Sequence, residues 1–377
     1  MPNVRFLQIH SLHGYSAVLL NRDDSGLAKR MTYGDTIRTR ISSQCLKRHW
    51  RVSDDIYALS DIDGATAATR SREIVTRRVI DPLKEAGHDE EIIKVIGEEF
   101  QLAVYGDKGG TRQGRQPLLL GEPEIEYLAR EAQKIADAHA SDPEAASDAA
   151  KDWRKAANAN MKTLRENCSL PGGLVAAMFG RMVTSDVEAN IDAAVHVAHA
   201  FTVHEEESES DYFTVVDDLH RIEDDAGADH IGETELTSGL FYGYVVVDRE
   251  MLLRNLGGDS EMAGEVTRRL VHLIATVTPG AKLGSTAPYD YASWLLIEAG
   301  EHQPRSLAEA FRKPCKALVE EAEASVNAHI EKFDAAYGTN EARRSMSLTD
   351  TPISGAELLP LSDLAAWAGS TIQEGVA

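Results

Sequence analysis

From Val4 to His13 the side chains divide into two faces, with Val4, Phe6 and Gln8 on one and Arg5, Leu7 and Ile9 on the other, which predicts a strand. A polar stretch from Asn21 to Arg40, containing Gly26 and Gly34, predicts a loop. Ser42 then stands as the N-cap of a helix in SSQCLKRHWR. Cys45, Leu46, His49 and Trp50 form one stripe of that helix, and Gln44, Lys47, Arg48 and Arg51 recur on the opposite one. Residues 54–165 carry mostly helical patterning, broken by the Gly-rich basic segment GDKGGTRQGRQP (106–117). The Ala-rich, charged stretch 124–166 predicts a solvated helical region, FGRMVTSD (179–186) a short turn, and Val187–Phe201 a further helix. An acidic segment follows (202–235), whose apolar island YFTVV (212–216) predicts a short strand in a hairpin. GLFYGYVVVD (239–248) is apolar on both faces and predicts a central strand. A helix at 261–277, the loop PGAKLGST, a strand at Tyr291–Glu298, and helices with a turn-rich tail complete the pattern. This order predicts an α+β core with helices on one face of a sheet, interrupted by two insertions.

Length and composition narrow the class. The 377 residues suit two domains, or one large domain with insertions. A 43% hydrophobic content is enough for a core and excludes wholesale disorder. No apolar run approaches the roughly 18–20 residues that span a bilayer. MPNVRFLQIHSLH lacks the sections of a signal peptide, and Cys45, Cys168 and Cys315 share no metal spacing and cannot all pair. These features predict a cytoplasmic protein without a membrane partner.

The net charge of −22 argues against nucleic-acid binding until its distribution is considered. Residues 1–51 hold nine basic side chains against three acids, a local +6. Residues 202–235 hold thirteen acids and one Arg221, a local −12. Phosphate contacts are made locally, so the basic block is the electrostatic footprint that matters.

The strongest chemical signal is RTRISSQCLKRHWR (38–51). A helix N-terminus offers free N–H groups to an anion, Arg38 and Arg40 precede it, and Gln44, Lys47 and Arg51 line one face after it. Such a cradle could follow consecutive phosphates; a basic amphipathic surface helix has the same spacing. Lys108, Arg112 and Arg115 in the Gly-rich loop, and Lys282 in TPGAKLGST, could touch a nucleic-acid backbone or simply be solvated. Neither loop ends in the Gly-Lys-Ser/Thr of a P-loop. His196, His199 and His204 are conceivable zinc ligands, but no HExxH or cysteine pair supports a metal. Asp217, Asp218, His220, Asp224, Asp225 and Asp229 lack EF-hand order and read as a solvated acidic face. Asp23 and Asp24 could be nuclease carboxylates, or could pair with Arg22 and Lys29. No nucleophile elbow appears, so no enzyme and no cofactor are expected. An apolar tip on an arm such as 212–216 can wedge between bases, though a strand packed on its own domain is the better reading from the residues alone.

NRDD (21–24) with RISSQCLKR (40–48), GRMVTSD (180–186), AHAFTVH (198–204), YFTVVDDL (212–219), TSGLFYGY (237–244), NLGG (255–258) and VHLIATVTPGAK (271–282) together resemble the CasC family. That family supplies the repeated backbone subunits of the type I-E CRISPR surveillance complex, Cascade. The resemblance implies a hand-shaped α+β protein with a modified RRM-like (ferredoxin-like) palm, a helical fingers insertion and a projecting thumb. Palm segments would be 1–53, 166–201 and 236–377 with the C-terminal helices, the fingers 54–165 and the thumb 202–235. It further implies that several copies polymerise along one CRISPR RNA beside other Cascade subunits and present it to target DNA, without catalysis. Carried over by position, RNA contacts fall on Asn21, Lys29, Ser42, Gln44, Lys47 and Arg51, with Met182 near a kinked base and Phe213 and Thr214 where the thumb crosses the strand. Arg22, Arg38, Arg40 and Lys282 complete the expected RNA-binding set, and Lys108, Arg112 and Arg115 are the expected DNA contacts. An RRM-like, metal-dependent RNA endonuclease is the alternative, tested by guide-directed cleavage.

Overall fold

In the computed structural model, which describes residues 3–166, 168, 170–183, 186–215, 230–349 and 351–377, the first apolar run continues past its expected end as β1 (Phe6–Val18). The expected loop after it contains a hairpin, β2 (Arg30–Tyr33) and β3 (Thr36–Ile41), closed by two residues, Gly34 and Asp35. Both have positive φ (62° and 65°), the geometry that matches strand twist in a two-residue turn. A Cβ on Gly34 would also lie 1.6 Å from the Arg312 carbonyl oxygen, so only glycine fits. Helix α1 (Ser43–Arg51) starts where its cap signal places it, the Ser42 side chain accepting the Cys45 N–H at 3.3 Å. Then follow β4 (Ala68–Ser71), α2 (Asp81–Glu85), α3 (Glu90–Tyr105), β5 (Leu118–Gly121), α4 (Glu122–Ala138), α5 (Pro143–Glu166) and α6 (Gly173–Phe179). Residues 187–201, expected as a helix, form a short 3-10 turn and two strands, β6 (Val195–Val197) and β7 (Ala200–Thr202). β8 (Glu207–Val215) and β9 (His230–Asp248) are the expected hairpin and central strand. The rest is α7 (Arg249–Asn255), α8 (Ser260–Thr276), α9 (Leu283–Thr286), β10 (Ala292–Gly300), α10 (Val319–Tyr337), β11 (Ala342–Ser347), β12 (Ala356–Leu358) and α11 (Leu361–Glu374). The tail is thus two strands and a helix rather than a run of turns.

The chain divides into two units: residues 1–58, 196–247 and 264–377, and residues 59–195 and 248–263. The first is built on a mixed sheet in the order β12-β11-β10-β1-β9-β7-β3-β2, with β6 and β8 also paired to β9. Successive side chains on β7 and β9 go to opposite faces. Phe201 and Tyr242 join Trp294, Leu296 and, from α10, Val326 and Ile330 on one face. Ala200 and Phe241 join Tyr15, Ile41 and the apolar stripe of α1 on the other. Helices therefore cover both faces, not one as expected. β1 and β10 are buried along nearly their whole length because both faces are covered.

A polar cluster is sealed inside this unit. Glu298 on β10 is fully buried and accepts two hydrogen bonds from Arg305 (2.5 and 2.9 Å), one from Arg343 on β11 (2.7 Å) and contacts His10 Nε2 on β1 (3.2 Å). Arg343 also holds Asp334 of α10 at 2.6 and 2.8 Å. Burial alone would raise the Glu298 carboxyl, but hydrogen bonds from Arg305 and His10 hold it well below the ordinary carboxylate range.

The second unit is helical, with α3, α4 and α5 around Ile92, Ile96, Phe100, Leu128 and Trp153. Phe100 and Trp153 stack with centroids 3.8 Å apart. The Ala-rich stretch is not simply solvated: Ala132, Ala136, Ala146 and Ala150 are fully buried, and such small side chains permit close helix approach. The pair β4–β5, not expected from the sequence, lies in this unit.

Candidate nucleic-acid interface

Asn21, Ser42 and α1 are tied together by the backbone. Asn21 Oδ1 accepts the Ser42 N–H at 2.9 Å, and the Asn21 carbonyl accepts the Lys29 N–H at 2.9 Å. Lys29 in turn accepts the Arg40 N–H at 2.7 Å through its own carbonyl. The 21–29 loop, the end of β3 and the start of α1 are thereby one connected piece. On it, Arg22 and Gln44 are exposed and Lys29, Arg40, Lys47 and Arg51 half-buried. Ser42 is buried, its oxygen committed to the cap. The apolar stripe of α1 faces the sheet, which turns the Gln44–Lys47–Arg51 stripe outward as the periodicity requires.

His199, just before β7, completes this patch. Its Nδ1 lies 3.1 Å from Arg40 Nη1, and partial burial together with Arg40, Lys29 and Lys47 pushes the imidazole below its ordinary value. Three basic residues from separate segments thus act on one exposed ring. Sequence reasoning weighed His199 only as a zinc ligand on a helix. The Ile41–Ala200 pairing of β3 with β7 places it here, and no local pattern reports that pairing.

The β8–β9 hairpin carries a second group. Phe213 packs its ring across Gly232, its cross-strand partner, and Lys282 Nζ lies 5.8 Å from the ring centroid. Lys282 also donates to Thr234 Oγ1. Thr214 is exposed beside Phe213. Arg22 and Lys282 line one groove with Glu209, Glu233 and Glu235. Arg30, not expected in any role, bonds both Glu206 and Glu235, and the Ala28 N–H donates to Glu235. Part of the acidity of the 202–235 segment is thus spent in anchoring the hairpin to the 21–30 segment. Residues 216–229, which contain Asp217, Asp218, His220, Asp224, Asp225 and Asp229, lie outside the described residues.

Met182 belongs to the other unit and is 74% exposed. Its neighbours fix that exposure. Gly180 has φ 77° and no room for a Cβ, Arg181 pairs its backbone with Ile191, and the buried Arg181 side chain bonds Glu124 at 2.5 Å and the Ala189 carbonyl at 2.8 Å. In the 106–117 segment, Lys108 and Arg112 are exposed, Arg112 pairing with Glu73 at 2.7 Å. Arg115 is turned inward, donating to the Gly109 carbonyl and Gln101 Oε1, both at 2.7 Å. It holds the segment's fold, which leaves its guanidinium unsuited to the expected DNA contact.

Arg38 is a second correction. It is fully buried, donating to the Thr202 and Phe311 carbonyls at 2.9 Å and the Tyr33 carbonyl at 3.3 Å, so it does not face solvent RNA. The three histidines do not converge: His204 is buried, bonded to the Glu205 carbonyl and the Leu240 N–H, while His199 meets Arg40. Asp23 caps its own loop, accepting the Ser25 and Leu27 N–H groups at 2.9 and 3.1 Å. It is paired with backbone rather than with Arg22 or Lys29. Among the described residues, no three His, Cys, Asp or Glu side chains form a metal-holding group.

A family model described as CT1975-like protein matches residues 7–367. A solved chain titled "CRISPR RNA-guided surveillance complex, pre-nicking" aligns with a TM-score of 0.78 and 25% identity, covering 96% of this chain and 100% of that one. Another, titled "CRISPR RNA-guided surveillance complex", aligns with a TM-score of 0.59 and 20% identity over 96% and 99% of the two chains, and bears on the fold alone. No curated protein matches. The mixed α+β architecture and the first of these likenesses agree with the RRM-type palm expected from the sequence.

Proposed function

The chain belongs to the CT1975-like protein family, and from that premise we propose that it is the RNA-binding backbone subunit of a CRISPR RNA-guided surveillance complex of the Cascade type. The observation that carries this reading is the patch of Lys29, Arg40 and Lys47 around His199, continuous with the outward face of α1. Cationic donors of this kind suit a sugar-phosphate backbone whatever its sequence, so the mechanism is pre-organisation: the protein holds the guide and base pairing reads the target DNA. In this reading the sheet unit supplies the palm and, through the β8–β9 hairpin, the thumb; residues 54–165, nearly all in the helical unit, are the fingers; and Phe213 and Met182 are apolar contacts to displaced bases. Further copies of the chain follow one another along the RNA beside other subunits of the complex. We assign the protein no catalysis of its own; of the two nuclease candidates, Asp23 and Asp24, the first is committed to its loop. Among the described residues no helix is long and apolar enough to cross a membrane, and we place the complex in the cytoplasm.

Co-expression with a CRISPR array tests this. Lys47→Glu combined with Arg51→Glu should abolish RNA-dependent assembly while circular dichroism and the unfolding midpoint stay near wild type. Assemblies of normal length on the guide would overturn the assignment.

A further inference from the structure

We propose that His199 is itself a ligand of the RNA backbone, acting as a neutral hydrogen-bond donor through Nε2 to a phosphodiester oxygen. The proposal rests on the RNA-binding reading above and adds to it a residue and a chemical role. An arginine N–H can only donate, so the 3.1 Å contact between Arg40 Nη1 and His199 Nδ1 makes Nδ1 the acceptor. A neutral imidazole with Nδ1 as acceptor carries its proton on Nε2. Arg40 thereby selects one tautomer and leaves the N–H on the side of the ring away from the guanidinium. The ring is exposed, so that donor is offered to solvent rather than to the core.

The charged groups acting on the ring are all basic: Arg40 on β3, Lys29 in the loop before β2, and Lys47 on α1. Their summed potential favours an anion at this point and disfavours a fourth positive charge. An imidazolium would also lose the Arg40 bond, because Nδ1 could no longer accept. His199 is thus built as a donor without charge set among charged ones. It lends the patch direction, where lysines act as mobile point charges.

Direct binding of a fluorescently labelled, unstructured uridine oligomer to the full-length chain, across a series of salt concentrations near neutral pH, separates the possibilities. His199→Ala should weaken binding about three- to tenfold at every salt concentration, as expected for one net hydrogen bond, with the slope of log K against log salt unchanged. Lys47→Ala should weaken binding and also flatten that slope by about 0.7, the single-strand value for one phosphate charge. His199→Gln, whose amide N–H sits near the Nε2 position, should recover most of the loss. Wild-type affinity in His199→Ala overturns the proposal, as does a slope change equal to that of Lys47→Ala, which would make the ring a cation. If the wild-type chain itself binds no RNA, the functional reading falls and this one with it; loss confined to His199 behaviour leaves that reading standing.

Discussion

Arg38 and Arg40 are two residues apart on β3, so strand alternation sends them to the same face, and only what covers that face separates their roles. The Phe311 and Thr202 carbonyls close over Arg38, whereas Arg40 lies beside exposed His199. RTR in the sequence gives two equal candidates; the difference comes from residues more than a hundred positions away. Arg38→Ala strips donors from three carbonyls, each worth about 1 kcal/mol or more when buried and unpaired, so stability to urea should fall by at least about 3 kcal/mol. Arg40→Ala should change stability by about 1 kcal/mol or less and instead weaken RNA binding. Equal stability losses in the two variants would show that the two arginines do the same work. Where a site residue acts through its immediate neighbours, as Ser42 does in capping α1, the sequence identified its position without help.

At the scale of elements, what could be read from the chain was set by local periodicity. The cap and two stripes of α1, the apolar run of β9 and the island in β8 all carry their own signal. Residues 187–201 carried a misleading one: Val187, Ile191 and Ala194 follow one another at intervals of four and three, as on a helix face, yet β7 exists because β9 and β3 offer their backbones on either side. Such pairing is non-local and leaves no trace in a fifteen-residue window. The same holds for the Glu298 cluster, which joins β1, β10, β11 and α10 through residues spread from His10 to Arg343. Glu298→Gln would leave Arg305 without its counter-charge and Arg343 with Asp334 alone, and should lower unfolding stability by about 3–5 kcal/mol. Near-wild-type denaturant midpoints would mean that the cluster is dispensable to the sheet.

At the scale of the whole molecule, charge and pH response depend on placement rather than totals. The −22 sum hid a +6 block at the start of the chain. The structure adds that Glu206 and Glu235, within the acidic segment, are held by Arg30. Burial lowers the His13 imidazole from 6.5 to about 4, and it lowers His10 as well despite the Glu298 contact. A group depressed in the folded state stabilises it fully above the unfolded value, and that stability is lost as pH falls toward the folded one. Unfolding stability should therefore decline from pH 6.5 toward about 4, as the unfolded chain takes up protons that His13 and His10 in the fold do not, and fall further below the ordinary 4.5 of a glutamate, where Glu298 of the unfolded chain is protonated first. A urea midpoint that stays constant from pH 7 to pH 5 would contradict this order of events. By itself the sequence determined the α+β class, the capped basic helix, the hairpin and the family resemblance, because these reside in spacing between near neighbours and in the joint order of short motifs. The tertiary structure alone decided that Arg38 and Arg115 are internal, that His199 meets Arg40, that helices cover both faces of the sheet, and that the cluster around Glu298 joins four elements. Those outcomes depend on which distant backbone arrives beside a side chain, and burial and hydrogen bonding are fixed only when it does.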